Sequence, residues 1–264
     1  MKLAIDNTFP ARSVVRRRVA PSLPASQWFR DVMNFSKEEA GWDQDYQSLV
    51  GAVSSWSGLK GNLTTEMGPF VQATAASQPV GSATSFTSVD GTAREGITFD
   101  GANDFMTLGT LPACLPSGAN PGSLWFIVSQ DALATDTTTR TLFAYGGTTA
   151  GTYRAIERRV VNGVNRLAIT DGTTDLVDDQ VDFYGVHFMR VWFDGTTFGY
   201  DLNGDPAGSA ALVPATGTAI ACLGVNTAQS GGTWHGKIAQ FALLAGDPTA
   251  TASPNGPSRY YYRP

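Results

Sequence analysis

Short runs of apolar, aromatic and β-branched residues recur along this chain, each closed within a few positions by a glycine turn, and this rhythm constrains the fold more than any other feature. Ile97-Thr98-Phe99 runs into Asp100-Gly101, and residues 141–145 end at Gly146-Gly147. Residues 166–170 alternate in polarity and stop at Asp171-Gly172, while residues 187–193 stop at Asp194-Gly195. Residues 198–202 lead into Asn203-Gly204, the dipeptide best suited to a two-residue hairpin because both positions tolerate positive φ. Residues 123–128 are apolar almost throughout, which predicts a strand covered on both faces. Residues 237–244 close the set. Many strands of this length with turns between them predict an all-β chain built as a sandwich or jelly roll. No tandem repeat of fixed period accompanies them.

Composition agrees with that reading and removes several alternatives. Hydrophobic residues make up 42% of the 264 and charged residues only 16%, enough apolar surface for a sizeable core. Gly 29 and Pro 14, with few Leu, Glu or Lys, exclude a helical bundle. A net charge of −5 argues against nucleic acid as a partner of the whole chain. No run approaches the ~18 apolar residues of a membrane span, so membrane insertion is not expected. The opening Met1-Lys2-Leu3-Ala4-Ile5-Asp6 shows no secretory h-region. Cys114 and Cys222 have neither CxxC nor metal-ligand spacing and read as small buried hydrophobes; whether they pair stays open.

Three parts follow along the chain. Residues 1–35 form an N-terminal arm in which Arg12, Arg16, Arg17 and Arg18 cluster ahead of Pro21 and Pro24. That arm is either irregular and solvated or a docking arm for an acidic partner surface, and bidentate guanidinium contacts favour docking. Residues 36–246 carry the sandwich, with a capping-box pattern at Ser36-Lys37-Glu38-Glu39 that predicts a short helix at its start. Residues 247–264 are a Pro/Ser/Gly-rich tail ending in Tyr260-Tyr261-Tyr262-Arg263.

Five segments in order resemble the concanavalin A-like lectin/glucanase superfamily in its laminin-G-like form. They are Val53-Ser54-Ser55-Trp56-Ser57-Gly58 with Gly61-Asn62, then Ala73-Thr74-Ala75-Ala76-Ser77-Gln78-Pro79, then Gly96-Ile97-Thr98-Phe99-Asp100-Gly101-Ala102-Asn103-Asp104-Phe105-Met106. Val191-Trp192-Phe193-Asp194-Gly195 with Tyr200-Asp201-Leu202-Asn203-Gly204 resembles the family's central hairpin. Gly224 followed by Trp234-His235-Gly236-Lys237-Ile238-Ala239-Gln240-Phe241 resembles its closing strand, with Gln240 where the family has Glu or Asp. The resemblance spans roughly residues 50 to 245 and implies a two-sheet antiparallel jelly roll with an irregular N-terminal extension. Domains of this kind occur in phage virion proteins, bacterial surface proteins and polysaccharide-active enzymes, so the fold alone selects no activity.

Chemistry-bearing residues are sparse. The E-x-D-x-E strand of the related glucanases is absent, and a glycosidase needs two carboxylates across a cleft. Glu157, beside Arg158 and Arg159, is the glutamate lying well inside the strand region and reads as exposed or ion-paired. Asp178, Asp179 and Asp182 read as a solvated loop cluster. Asp201-x-Asn203-x-Asp205 begins like a calcium loop, but Pro206 and Leu212 stand where Gly and Glu are needed, so a hairpin explains it. His187 and His235 have no partner pattern for a triad, and neither a metal nor a cofactor is expected. Sugar recognition needs an exposed aromatic platform with paired hydrogen-bonding groups. Tyr153 and Trp234, in Gly-rich loop surroundings, with Asn226 and Asp104 near turns, are the candidate carbohydrate-binding residues. For Trp234 the resemblance implies a core position as the alternative.

The expectation is a non-catalytic virion surface protein, such as a head fibre, spike or decoration protein. Its lectin-like domain would contact host surface polysaccharide while the N-terminal arm docks on capsid or other virion proteins. Assembly in the host cytoplasm fits an extracellular recognition fold without an export signal. The alternatives are a polysaccharide lyase or glycoside hydrolase of the same superfamily and a bacterial surface adhesin. Homo-oligomerisation stays open.

Overall fold

The computed structural model describes residues 40–43, 49–60, 66–87, 93–109, 111–112, 115, 120–131, 135–178, 182–202, 205–211 and 220–245. Among them the strands are β1 (Ala40–Asp43), β2 (Gly51–Ala52), β3 (Ser55–Lys60), β4 (Glu66–Val71), β5 (Val80–Thr87), β6 (Ala93–Asp100), β7 (Met106–Leu108), β8 (Gly122–Gln130) and β9 (Arg140–Gly146). They continue as β10 (Tyr153–Val161), β11 (Val164–Thr170), β12 (Asp175–Val177), β13 (Gly185–Phe193), β14 (Thr197–Leu202), β15 (Asp205–Ala211), β16 (Ile220–Leu223) and β17 (His235–Ala245). Among the described residues a single 3-10 turn, Ala75–Ser77, interrupts them.

Antiparallel pairing arranges these strands as two sheets of eight, which form a sandwich. One, here the β10 sheet, runs β3-β4-β7-β16-β9-β10-β11-β12. The other, the β8 sheet, runs β2-β5-β6-β17-β8-β13-β14-β15. β1 joins them, because Ala40 pairs with Leu243 of β17 and with Lys60 of β3. This is the jelly-roll sandwich expected from the turn rhythm.

Side-chain alternation explains the layers. Leu124, Phe126 and Val128 of β8 face the inter-sheet core with Phe143, Tyr145, Phe193 and Phe241. There Phe126 stacks on Phe241 at 4.6 Å between centroids. Trp125 and Ile127, on the opposite face, join Phe86, Phe188, Ala239, Ala242 and Leu244 in a second buried cluster. Every residue of β8 is therefore buried, as the unbroken apolar run predicts.

One expectation needs correction here, and the hairpin reading of the calcium-like spacing is borne out. The capping box at 36–39 lies outside the described residues, but the chain is strand from Ala40, so a helix cannot continue past it. Pairing of all four residues with β17, and of Ala40 and Gly41 with β3 as well, holds them in β structure whatever their local preference. The calcium-like spacing is a hairpin, since Leu202 pairs with Asp205, and Asp201 forms an ion pair with Arg190. Asn203 and Gly204 themselves lie outside the described residues, as do the arm with Arg12, Arg16, Arg17 and Arg18, the C-terminal tail, Cys114 and Asp179.

Candidate functional site

β10 was not legible as a strand, and Tyr153 is its first residue rather than part of a loop. Its alternation is unusual because two of the inward positions are arginines. Arg154 is 1% exposed with its guanidinium 4.8 Å from the Phe193 ring centre, and Arg158 is fully buried. With Ile156 also in the core, Tyr153, Ala155, Glu157 and Arg159 face outward. On β11 the inward Leu167 and Ile169 leave Arg166, Ala168 and Thr170 on the same outer face, and β12 adds Asp175. Ala144, Ala155 and Ala168 give this face a floor of small side chains.

Arg159 organises the polar groups above that floor. Its Nε donates to Glu157 Oε2 at 2.9 Å, and Nη2 lies 2.8 Å from the same oxygen. Nη1 and Nη2 reach Asp175 Oδ2 and Oδ1 at 2.7 and 3.1 Å. The two carboxylates are thus held in place by one planar cation, the bidentate geometry a guanidinium favours. The hydrogen bond from Arg159 outweighs partial burial and holds the Asp175 carboxyl below its ordinary value. Burial, reinforced by the Glu157 charge, pushes the Tyr153 phenol up, so it remains a hydroxyl donor. The Tyr153 ring rests over Gly172, where an added Cβ would come within 2.8 Å of Cε1 and 2.9 Å of Cζ. Gly172 also has φ +86°, so both the backbone and the ring above it require glycine.

Of the other expected site residues, Asn226 is brought towards this face. Its neighbour Thr227 donates from Oγ1 to Gly147 O at 2.7 Å, in the turn that leads into Tyr153. Asn226 itself accepts from the Ser230 amide at 3.1 Å, which closes its loop. Trp234 is fully buried, with Nε1 donating to Ser129 O at 3.2 Å, so it presents no surface to a sugar. Of its two expected roles, the platform is corrected and the core position holds.

Asp104 is corrected likewise: it is 6% exposed and accepts from the Asp100 amide at 3.0 Å, closing the β6–β7 turn. Burial is the main force that raises its carboxyl to about 6, against the Asp100 amide and with the Asp100 charge. A carboxyl raised in the folded state binds more protons there than in the unfolded chain, so its contribution to stability grows as pH falls from about 6 to about 4. Asp104→Asn keeps an acceptor for Asp100 and removes the charge. Thermal melts should show it more stable than wild type near neutral pH by about 1 kcal/mol once solvent screening is allowed for, with the advantage vanishing near pH 4. Equal pH profiles for the two proteins would refute this account.

A second polar cluster escaped the sequence reading. Arg140 pairs with Asp136 and donates to Thr233 O at 2.8 Å. Arg158 donates to Asn165 Oδ1 at 2.7 Å, Thr138 O at 2.8 Å and Asp136 O at 2.6 Å. Burial of Asp136 is overcome by the hydrogen bonds from Arg140 and Thr138, which hold its carboxyl down at about 2. These bonds fasten the β8–β9 connection to β10, β11 and the β16–β17 loop, which is structural work.

Asp178, His187 and Cys222 are buried. Asp178 is 3% exposed rather than solvated, with its amide bonded to Leu167 O. His187 stacks on Phe183 at 4.8 Å, and burial pushes its pKa down. Cys222 is a free thiol, and burial pushes it up to about 12. Among the described residues no group of His, Cys, Asp and Glu is placed to hold a metal ion.

No protein-family model matches the chain, and no curated protein matches it. Solved structures do. Domain 4 of AbnA, a GH43 extracellular arabinanase from Geobacillus stearothermophilus solved with arabinotriose, is 18% identical over 79% of this chain and 92% of its own, with a TM-score of 0.46. The CBM40 domain of Ruminococcus gnavus IT-sialidase, bound to α2,3-sialyllactose, is 15% identical over 59% of this chain and 92% of its own, at 0.44. A point mutant of the NanB sialidase from Streptococcus pneumoniae is 15% identical over 60% of this chain, at 0.41. This chain spans 27% of the NanB chain. At these identities and scores the likeness assigns neither a family nor a ligand.

Proposed function

We propose that this protein is a non-catalytic glycan-binding protein whose saccharide site is the outer face of the β10 sheet around Tyr153. The observation that carries the reading is the Tyr153 ring, half-buried and seated over Gly172, beside the Glu157–Arg159–Asp175 trio. A sugar presents an apolar C–H face and a rim of hydroxyls. An aromatic ring takes the first, and carboxylate oxygens already held in position take the second with little ordering cost. Both carboxylates sit on one guanidinium and the Asp175 carboxyl is held down, which suits accepting hydrogen bonds rather than delivering a proton.

Calorimetric titration of the full chain with oligosaccharides tests the reading. Tyr153→Ala should weaken binding at least about tenfold through loss of the aromatic contact, with an unchanged melt. Gly172→Ala, which touches the ring and not the sugar, should weaken it as well. Undiminished binding by both variants would move the site elsewhere. Turnover of a glycan that disappears in Glu157→Gln would make the protein an enzyme instead. The sequence resemblance also leads us to propose a virion surface as its location. Mass spectrometry of purified particles addresses that part separately, and absence of the chain from them would remove it without touching glycan binding.

A further inference from the structure

We infer that the Tyr153 site selects uncharged saccharides and rejects anionic ones, the carboxylated and sulfated sugars. The inference rests on the glycan-binding reading and deepens it. An anionic sugar is normally gripped by a guanidinium whose paired N–H groups point at the ligand. Here Arg159 spends that fork internally: Nε and Nη2 on Glu157, Nη1 and Nη2 on Asp175. The other two arginines of β10 are turned into the interior, where Arg154 lies over Phe193 and Arg158 holds the β8–β9 connection. Arg166 shares the outer face and pairs directly across from Arg159, four positions along the β10–β11 ladder from the Ala155–Thr170 pair beside Tyr153.

The charge balance points the same way. Glu157, Asp171 and Asp175 act on the Tyr153 hydroxyl as negative charges and Arg159 as a positive one. A carboxylate or sulfate brought to that hydroxyl meets net repulsion, and like charges at such range oppose binding whatever the other contacts. A neutral sugar meets acceptors for its hydroxyls and a phenol that donates. Its affinity has no ionic component to be screened by salt.

The test is a panel of neutral oligosaccharides and an anionic panel of sialyllactose, oligogalacturonate and a sulfated oligosaccharide, titrated against the full chain and Tyr153→Ala. Expected is Tyr153-dependent binding confined to the neutral panel, changing less than about twofold between about 50 and about 500 mM salt. Asp175→Asn, which releases one side of the Arg159 fork, should improve affinity for the anionic panel by about fivefold or more. Tyr153-dependent binding of an anionic sugar by the wild type, weakened by salt, would overturn the inference while leaving the site in place. Failure of both panels to bind in a Tyr153-dependent way would overturn the glycan reading itself, and the selectivity with it.

Discussion

Arg158→Ala should cost about 3–5 kcal/mol of folding stability, the range seen when one member of a buried, hydrogen-bonded charge network is removed. The side chain is fully buried, and its guanidinium serves four groups at once. Asn165 Oδ1, Thr138 O and Asp136 O all accept from it within 2.8 Å, and the Asp136 carboxylate lies 3.6 Å away. Truncation leaves these acceptors facing a cavity, each with a desolvation cost of about 1–3 kcal/mol. Arg140 still holds Asp136, so the carboxylate is not abandoned and the loss stays within that range. Arg158→Met restores the volume of the stem but no donors, and should recover little. Urea denaturation of the three proteins measures this directly. A loss below about 1 kcal/mol for Arg158→Ala would mean that water replaces the guanidinium and that the β8–β9 connection is held by other contacts.

Trp234→Ala should be equally damaging, at about 3–5 kcal/mol, because a large fully buried ring is replaced by a methyl group and the rigid sandwich closes around the void only in part. The ring belongs to the main buried core cluster with its centre 6.2 Å from Phe183, and its indole N–H holds Ser129 O on β8. Trp234→Phe separates the two contributions. It keeps most of the volume but leaves the Ser129 carbonyl with one partner fewer, at a cost of about 1–3 kcal/mol. Sugar affinity per folded molecule should not change in Trp234→Phe. A loss of affinity with an unchanged melt would return Trp234 to the binding surface and contradict its burial.

Seven of the seventeen strands among the described residues, β6 and six others, were legible because their signal is local. β8, β9, β11, β13, β14 and β17 each show an apolar run or a period of two, and the Asp-Gly turns at 100–101, 171–172 and 194–195 all have their glycine at positive φ. β10 was not legible because Arg154 and Arg158 occupy inward positions and hide the alternation. The turn that follows it, Asn162-Gly163, carries the same hairpin signal as Asn203-Gly204, with φ of 53° and 78°, and reading it would have placed Val161 and Val164 as partners. The candidate site was legible only at Tyr153 and, one turn away, Asn226. Trp234 and Asp104 were misplaced because an aromatic or an acid beside glycines is written alike in a surface loop and in a loop folded onto the core.

The sequence by itself therefore determined the class of the fold, the double burial of β8 and the positions of the turns. Those follow from the alternation of side chains along a single strand, which any segment carries without reference to its neighbours. Only the tertiary structure decided which charged groups are interior and which meet on the surface. Arg158 can lie in the core because a loop from elsewhere in the chain brings carbonyls to it, and a buried charge is tolerated only when such partners arrive. The Glu157–Arg159–Asp175 trio exists because β11 holds β10 and β12 on either side of it in one register. A pairing between strands is a property of the assembled sheet, and no single strand encodes it.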